Sequence, residues 1–305
     1  MKKPWALRPN DTIGIVAPAG PFVRESLEAG IDLLRSWGFN VCYRDEIFHH
    51  SRYLAGPDWV RAALINQMFA DPGIRAILCA KAGYGSGRVI PLLNHTVIHR
   101  HPKIFVGYSD ITLLLSYFLS CPRMITFHGP VVAGELYHGM SRQTASQLYD
   151  LLTGVDVPYP LLTHVEVIRS GTAEGRLVGG NLSRIIETIG TFYELRTQDT
   201  ILFLEDTDIY IEDLDTMLVH LQAADKLASI RGIIIGMLRE EGGRRLDAEA
   251  IGKLWDGLFH RRIPIIRTPK CGHGRLNLTL PLGAHVKINT GMRKVMLLES
   301  PVRTA

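Results

Sequence analysis

The first half of the chain alternates short apolar runs with amphipathic stretches. Thr12–Pro18 (Thr-Ile-Gly-Ile-Val-Ala-Pro) has the length and β-branched content of a buried strand. Ser26–Trp37 follows with Leu27, Ile31 and Leu34 at helical spacing, and Gly38 closes it. The same alternation predicts strands at Val41–Tyr43, Ala76–Ala80, Ile104–Val106 and Ile125–Phe127. Helices are expected at Trp59–Phe69, Arg88–Leu93, Asp110–Leu119 and Arg142–Leu152. Strands separated by helices imply a parallel sheet covered on both faces, so residues 1–153 read as a doubly wound α/β domain.

The pattern then pauses at Gly154-Val-Asp-Val-Pro-Tyr-Pro160, a proline-bearing stretch suited to a linker over 154–170. A second unit over 171–305 opens with strand Ala173–Val178, and a Gly179-Gly180-Asn181-Leu182 turn leads into helix Ser183–Ile189. Strands are expected at Thr200–Leu204, Ile230–Ile235 and Pro264–Ile266, and helices at Leu214–Ala224 and Ala248–Phe259. Leu278–Leu280, His285–Ile288 and Val295–Leu298 read as closing β structure.

Composition narrows the class more than the function. The 305 residues are 46% hydrophobic and 21% charged, the balance of an ordinary globular protein. A net charge of +4 is spread without basic blocks, which argues against a nucleic-acid partner. Ile111–Leu119 and Gly232–Leu238 are far shorter than the ~18–20 apolar residues of a membrane span, so no membrane partner is expected. The amino terminus is charged but has no apolar core behind it, which argues against a cleaved signal peptide. Cys42, Cys79, Cys121 and Cys271 are scattered, fitting a reducing, cytoplasmic setting.

Several strand ends carry candidate chemistry. In Phe105-Val106-Gly107-Tyr108-Ser109-Asp110, Ser109 sits where a strand turns into a helix, as a nucleophile elbow would place it. Read alone, the segment favours the simpler role of a helix cap at Ser109 or Asp110. Lys81-Ala82-Gly83-Tyr84-Gly85-Ser86-Gly87 is a glycine-rich turn able to aim N–H groups at an anion, or merely a tight turn. Glu205-Asp206 ends a buried strand, where a carboxylate can orient an imidazole or cap a helix. His273, between Gly272 and Gly274, lies in a loop with room to meet a substrate, and His128 in Phe127-His128-Gly129-Pro130 ends a strand near the same edge. Lys81, Arg88 and Arg275 are candidate anion-binding cations that serve equally as surface charge. No compact metal-ligand spacing occurs, and neither metal nor cofactor is expected.

Taken in order, Ala82-Gly83-Tyr84-Gly85, Gly107-Tyr108-Ser109-Asp110, His128-Gly129-Pro130, Gly179-Gly180-Asn181-Leu182, Phe203-Leu204-Glu205-Asp206 and Gly272-His273-Gly274 resemble the LD-carboxypeptidases. These are serine peptidases that include murein tetrapeptide carboxypeptidases and microcin C self-immunity peptidases. The resemblance runs from Thr12 nearly to the carboxyl terminus. It implies a Rossmann-like N-terminal domain with a smaller, β-rich α/β C-terminal domain, and an active site in the cleft between them. Ser109 is then the nucleophile, His273 the general base and Glu205 the residue that orients it. The oxyanion hole comes from the Asp110 backbone N–H and the Gly83–Gly85 loop, including Tyr84, and His128, Gly129 and Asn181 contact substrate. This chain has Lys81-Ala82 where the family commonly has Arg-Gly, which keeps a positive charge and loses a bidentate fork.

The resemblance also implies a homodimer, no cofactor and a small peptide substrate. The first expectation is release of terminal D-Ala from a murein tetrapeptide in peptidoglycan recycling. The second keeps the chemistry and cleaves a peptide–nucleotide conjugate. A third, a non-catalytic nucleotide or anion binder, leaves the Ser, Glu and His placements without a purpose.

Overall fold

A computed structural model describes residues 1–242, 244, 246–258, 262–274 and 276–304, with the side chains of 248 and 256–258 also left undescribed. The first half holds β1 (Thr12–Val16), α1 (Arg24–Ser36), β2 (Asn40–Cys42), α2 (Asp58–Ala70), β3 (Ile74–Cys79), α3 (His95–Arg100), β4 (Ile104–Gly107), α4 (Thr112–Ser120), β5 (Thr126–His128) and α5 (Arg142–Thr153). The second holds β6 (Tyr159–Thr163), β7 (Glu166–Arg169), β8 (Thr172–Asn181), α6 (Leu182–Thr188), β9 (Thr200–Asp206), α7 (Ile211–Ala223), β10 (Gly232–Leu238), α8 (Ala248–Leu258), β11 (Ile265–Arg267), β12 (Leu280–Leu282), β13 (His285–Asn289) and β14 (Lys294–Leu297). Among the described residues no helix is long and apolar enough to cross a membrane.

The strands form two sheets. One runs β12-β5-β4-β3-β1-β2 and is parallel except where β12 meets β5. The other runs β6-β14-β13-β8-β9-β10-β11-β7, with β8 to β11 parallel and antiparallel strands on either side. This is the mixed α/β, two-sheet fold that the alternating pattern implies. Every residue of β9 and β10 is buried, as central parallel strands require.

Several elements differ from the sequence reading. The stretch read as a linker contains β6 and β7, the two edge strands of the second sheet. Leu280–Leu282 lies late in the chain yet pairs with β5 of the first sheet. Gly179 and Gly180 belong to β8 rather than to a turn. Side chains there would collide with the Phe203 carbonyl and, at 2.7 Å, with Thr112, so glycine permits close packing of β8 on β9 and α4. The Arg88–Leu93 helix is a 3-10 turn over Ser86–Leu92, and α3 is an additional short helix. The expected end of the last helix at Phe259 lies outside the described residues.

Helix α4 is apolar on all sides and is buried from Thr112 to Leu119. Phe118 packs edge-on against Phe105 of β4 at 4.7 Å between centroids. From the other half, the Asn181 backbone N–H donates to Thr112 Oγ1 at 3.0 Å. The carboxyl ends of β4 and β8 are thereby tied through the start of one buried helix.

Candidate active site

Strand β4 stops at Gly107, where a Cβ would meet Ile111 Cγ2 at 2.7 Å. Tyr108 is still extended, and Ser109 then adopts φ +61°, the left-handed region that a non-glycine residue enters at a cost of about 1–3 kcal/mol. A 3-10 turn over Ser109–Ile111 leads into α4. This strained turn puts Ser109 Oγ 2.8 Å from Nε2 of His273.

His273 comes from the loop after β11. Gly272 before it has φ +94°, and a Cβ there would fall on the Glu205 carboxyl, 2.8 Å from Cδ. Asn277 Oδ1 accepts the Gly272 N–H at 3.1 Å, and Arg239 Nη1 donates to the His273 carbonyl at 3.0 Å. With the loop so held, His273 Nδ1 lies 2.7 Å from Oε2 of Glu205, which also accepts the His273 backbone N–H at 3.3 Å. An ionised carboxylate only accepts, so Nδ1 carries the proton and Nε2 is free to accept from Ser109.

The electrostatics agree with that assignment. Burial alone would raise the Glu205 pKa, but the charge and hydrogen bond of His273 outweigh it and hold the carboxyl below its ordinary value. Burial alone would lower His273, and Glu205 outweighs it to leave the imidazole above its ordinary 6.5. The adjacent Asp206 faces elsewhere. It accepts from Asn181 Nδ2 at 2.8 Å and from the backbone and hydroxyl of Ser183 at 2.8 and 2.7 Å, fixing the start of α6.

The remaining predicted residues divide. Asp110 is buried, and its carboxylate accepts the backbone N–H groups of Gly85 at 3.3 Å and Ser86 at 2.8 Å. Ser86 Oγ donates back to the Asp110 carbonyl at 2.6 Å, so the glycine loop is bound to the Ser109 turn. Burial raises the Asp110 pKa against the lowering effect of the Ser86 hydrogen bonds. Gly83 has φ +124° and packs on Gly20, while Tyr84 is half-exposed and stacks edge-on with Tyr53 at 5.5 Å.

The three residues expected to contact substrate are interior. His128 is fully buried, 5.0 Å from the Phe203 ring between centroids. A Cβ at Gly129 would meet Thr279 Oγ1 at 2.8 Å, a packing constraint. The Asn181 side chain caps α6 through the Arg184 N–H and binds Asp206. Arg88 is paired with Asp58 at 2.7 Å, Lys81 is exposed, and Arg275 lies outside the described residues. Asn277, Arg239 and Ser86 were not singled out from sequence. Only Ser86 had a signal there, as the polar residue in the glycine loop.

Known proteins place this geometry in a family. Residues 13–129 match the LD-carboxypeptidase N-terminal domain and residues 174–288 the LD-carboxypeptidase C-terminal domain. A Bacillus subtilis (strain 168) protein named "Probable murein peptide carboxypeptidase" is 34% identical, over 98% of this chain and 95% of its own. The microcin C7 self-immunity protein MccF of Escherichia coli is 26% identical over 96% of this chain and 95% of its own. MccF solved in complex with aspartyl sulfamoyl adenosine has a TM-score of 0.89 at 23% identity, covering 99% of this chain and 100% of that one. A muramoyltetrapeptide carboxypeptidase from Oxalobacter formigenes has a TM-score of 0.80 at 24% identity, covering 94% and 97%. At such identities these two structures speak for the fold alone. The chain belongs to the LD-carboxypeptidase family and is a serine-type carboxypeptidase.

Proposed function

We propose that this LD-carboxypeptidase hydrolyses the LD peptide bond of a murein tetrapeptide and releases its terminal D-Ala. The observation that carries the reading is the unbroken relay from Ser109 Oγ through His273 to Glu205, at 2.8 and 2.7 Å. His273 Nε2 takes the Ser109 proton as Oγ attacks the scissile carbonyl. The Asp110 N–H, at the start of the turn into α4, faces the developing oxyanion together with an amide of the Gly83–Tyr84 segment. The next two loop amides, of Gly85 and Ser86, are held by the Asp110 carboxylate and are not free for that purpose. Collapse of the tetrahedral adduct transfers the proton from His273 to the departing D-Ala amine, and water then cleaves the acyl-enzyme by the same steps. Glu205 stays ionised throughout and stabilises the imidazolium that forms.

The name of the Bacillus subtilis relative supports a murein peptide as substrate, and we infer from that reading a role in peptidoglycan recycling in the cytoplasm. The MccF complex with aspartyl sulfamoyl adenosine supports a second reading, in which the same relay cleaves an aminoacyl–nucleotide conjugate. We further infer a homodimer, to be measured by sedimentation of the whole chain. The decisive experiment assays a murein tetrapeptide beside an aminoacyl sulfamoyl nucleotide. Turnover of the tetrapeptide by the wild type, and a fall of about 10⁴-fold or more in a folded Ser109→Ala, is the expected result. Undiminished turnover in that variant sinks the reading. Turnover of the nucleotide conjugate alone replaces it with the second.

A further inference from the structure

His128 is the last residue of β5, fully buried, and the relay described above makes no use of it. Its ring lies 5.0 Å from that of Phe203 and 6.0 Å from that of Tyr108, and the Tyr108 ring lies 5.0 Å from that of His273. Phe203 and Glu205 are two residues apart on β9, so their side chains leave the strand on the same face. His128 is therefore walled in by the aromatic neighbours of the Glu205–His273 pair.

Among the described residues, neither ring nitrogen of His128 meets a hydrogen-bond partner, and neither does Oε1 of Glu205. Two more such atoms flank them. Thr279 Oγ1 packs on Gly129, beside His128, and Asn277 Nδ2 belongs to the side chain that holds Gly272 against Glu205. Folded proteins leave few buried polar atoms unmet, and a carboxylate oxygen is among the costliest to leave so. A polar cell with two to four such groups is what an internal water requires. Burial pushes His128 down to about 4, so at neutral pH it offers one N–H and one acceptor nitrogen.

We propose that His128 is a positioning residue for Glu205, its imidazole N–H donating to an internal water that donates in turn to Glu205 Oε1. One oxygen of Glu205 then aims His273 while the other is fixed from behind. The inference rests on the relay proposed above. A Ser109→Ala variant that keeps its turnover defeats that reading, whereas the variants below test His128 against an active wild type.

The ionisable groups whose charge acts on His128 are Glu205 and His273, and those whose charge acts on His273 are Glu205, Asp206 and Glu135. Removing a donor from Glu205 Oε1 makes the carboxylate more basic, so His273 holds its proton to higher pH. A folded His128→Phe should therefore lose about 10-fold in kcat at unchanged KM, the worth of one hydrogen bond to a charged group. The acid limb of its kcat/KM profile should move to higher pH, the proton resonance of His273 Nδ1–H should shift, and His128→Gln should restore both. A His128→Phe enzyme whose acid limb and resonance stay in place overturns the proposal, even if kcat falls. Should His128→Phe not fold, a high-resolution crystal structure of the wild type decides. Water within hydrogen-bond reach of both Glu205 Oε1 and a His128 nitrogen supports the proposal, and its absence there overturns it.

Discussion

The serine side and the histidine side of this site are held in different ways. Ser109 is fixed by its own backbone, in a strained turn between a buried strand and a buried helix. That turn is bolted to the glycine loop by the three Asp110–Gly85–Ser86 hydrogen bonds. His273 sits on a loop held by its own Asn277 and by two side chains that reach it from elsewhere, Glu205 and Arg239. Ser109 owes its place to local chain geometry, and His273 owes its place to its own loop together with residues from other elements. A serine that must meet a carbonyl at one angle gains from rigidity. An imidazole that must face first the serine and then the leaving amine gains from a carboxylate that fixes its tautomer and tolerates small rotations.

That contrast can be broken from the histidine side first. Glu205→Gln cannot accept the Nδ1 proton as a charge, and an amide donor facing Nδ1 favours the wrong tautomer. Its kcat should fall about 10⁴-fold at intact fold, measured by turnover and circular dichroism. A loss of only a few-fold would mean that the loop alone places His273. On the serine side, Asp110→Ala strips the partner from two buried N–H groups. Stability should drop by about 3 kcal/mol, read from the urea midpoint, with kcat falling as the loop detaches from the turn.

The smallest effect is the pH response of the wild type. Because His273 is raised above 6.5, the acid limb of kcat/KM should have its midpoint above that value. The raised His273 contributes stability that is whole below pH 6.5 and is lost as pH rises through its folded pKa. The lowered Glu205 contributes stability that is whole above its ordinary 4.5 and is lost as pH falls through its folded pKa. An acid limb below 6.5 would show that Glu205 does not govern His273.

The difference between the two sides also explains what could be read from sequence. The turn that carries Ser109 is legible because its strand, turn and helix are contiguous, although alone it favours a helix cap, and the burial pattern of β1, β3 and β4 follows from apolar runs. The residues that hold His273 are scattered over some seventy positions, and their convergence is a property of sheet order. The ordered motifs of the family resemblance bring Glu205 and His273 forward, whereas Asn277 and Arg239 belong to none of those motifs. Strands β6 and β7 were missed for another reason. Both are sheet edges, where Pro160 and the charged Glu166 and Arg169 are tolerated, so neither carries the apolar signature of an inner strand. The burial of His128 was not legible either, since it depends on β12, which comes from the second half and pairs beside β5 with Leu280 opposite His128.

Strand β12 has a consequence for how the protein is made. The first sheet cannot be completed until residues 280–282 have been synthesised, since β12 pairs along β5. During synthesis, while the second half is still being added, β5 presents a free edge, the kind of surface that invites pairing with another chain. Completion of the sheet that carries Ser109 therefore waits on strand β12 from the second half, so the two halves of the molecule mature together.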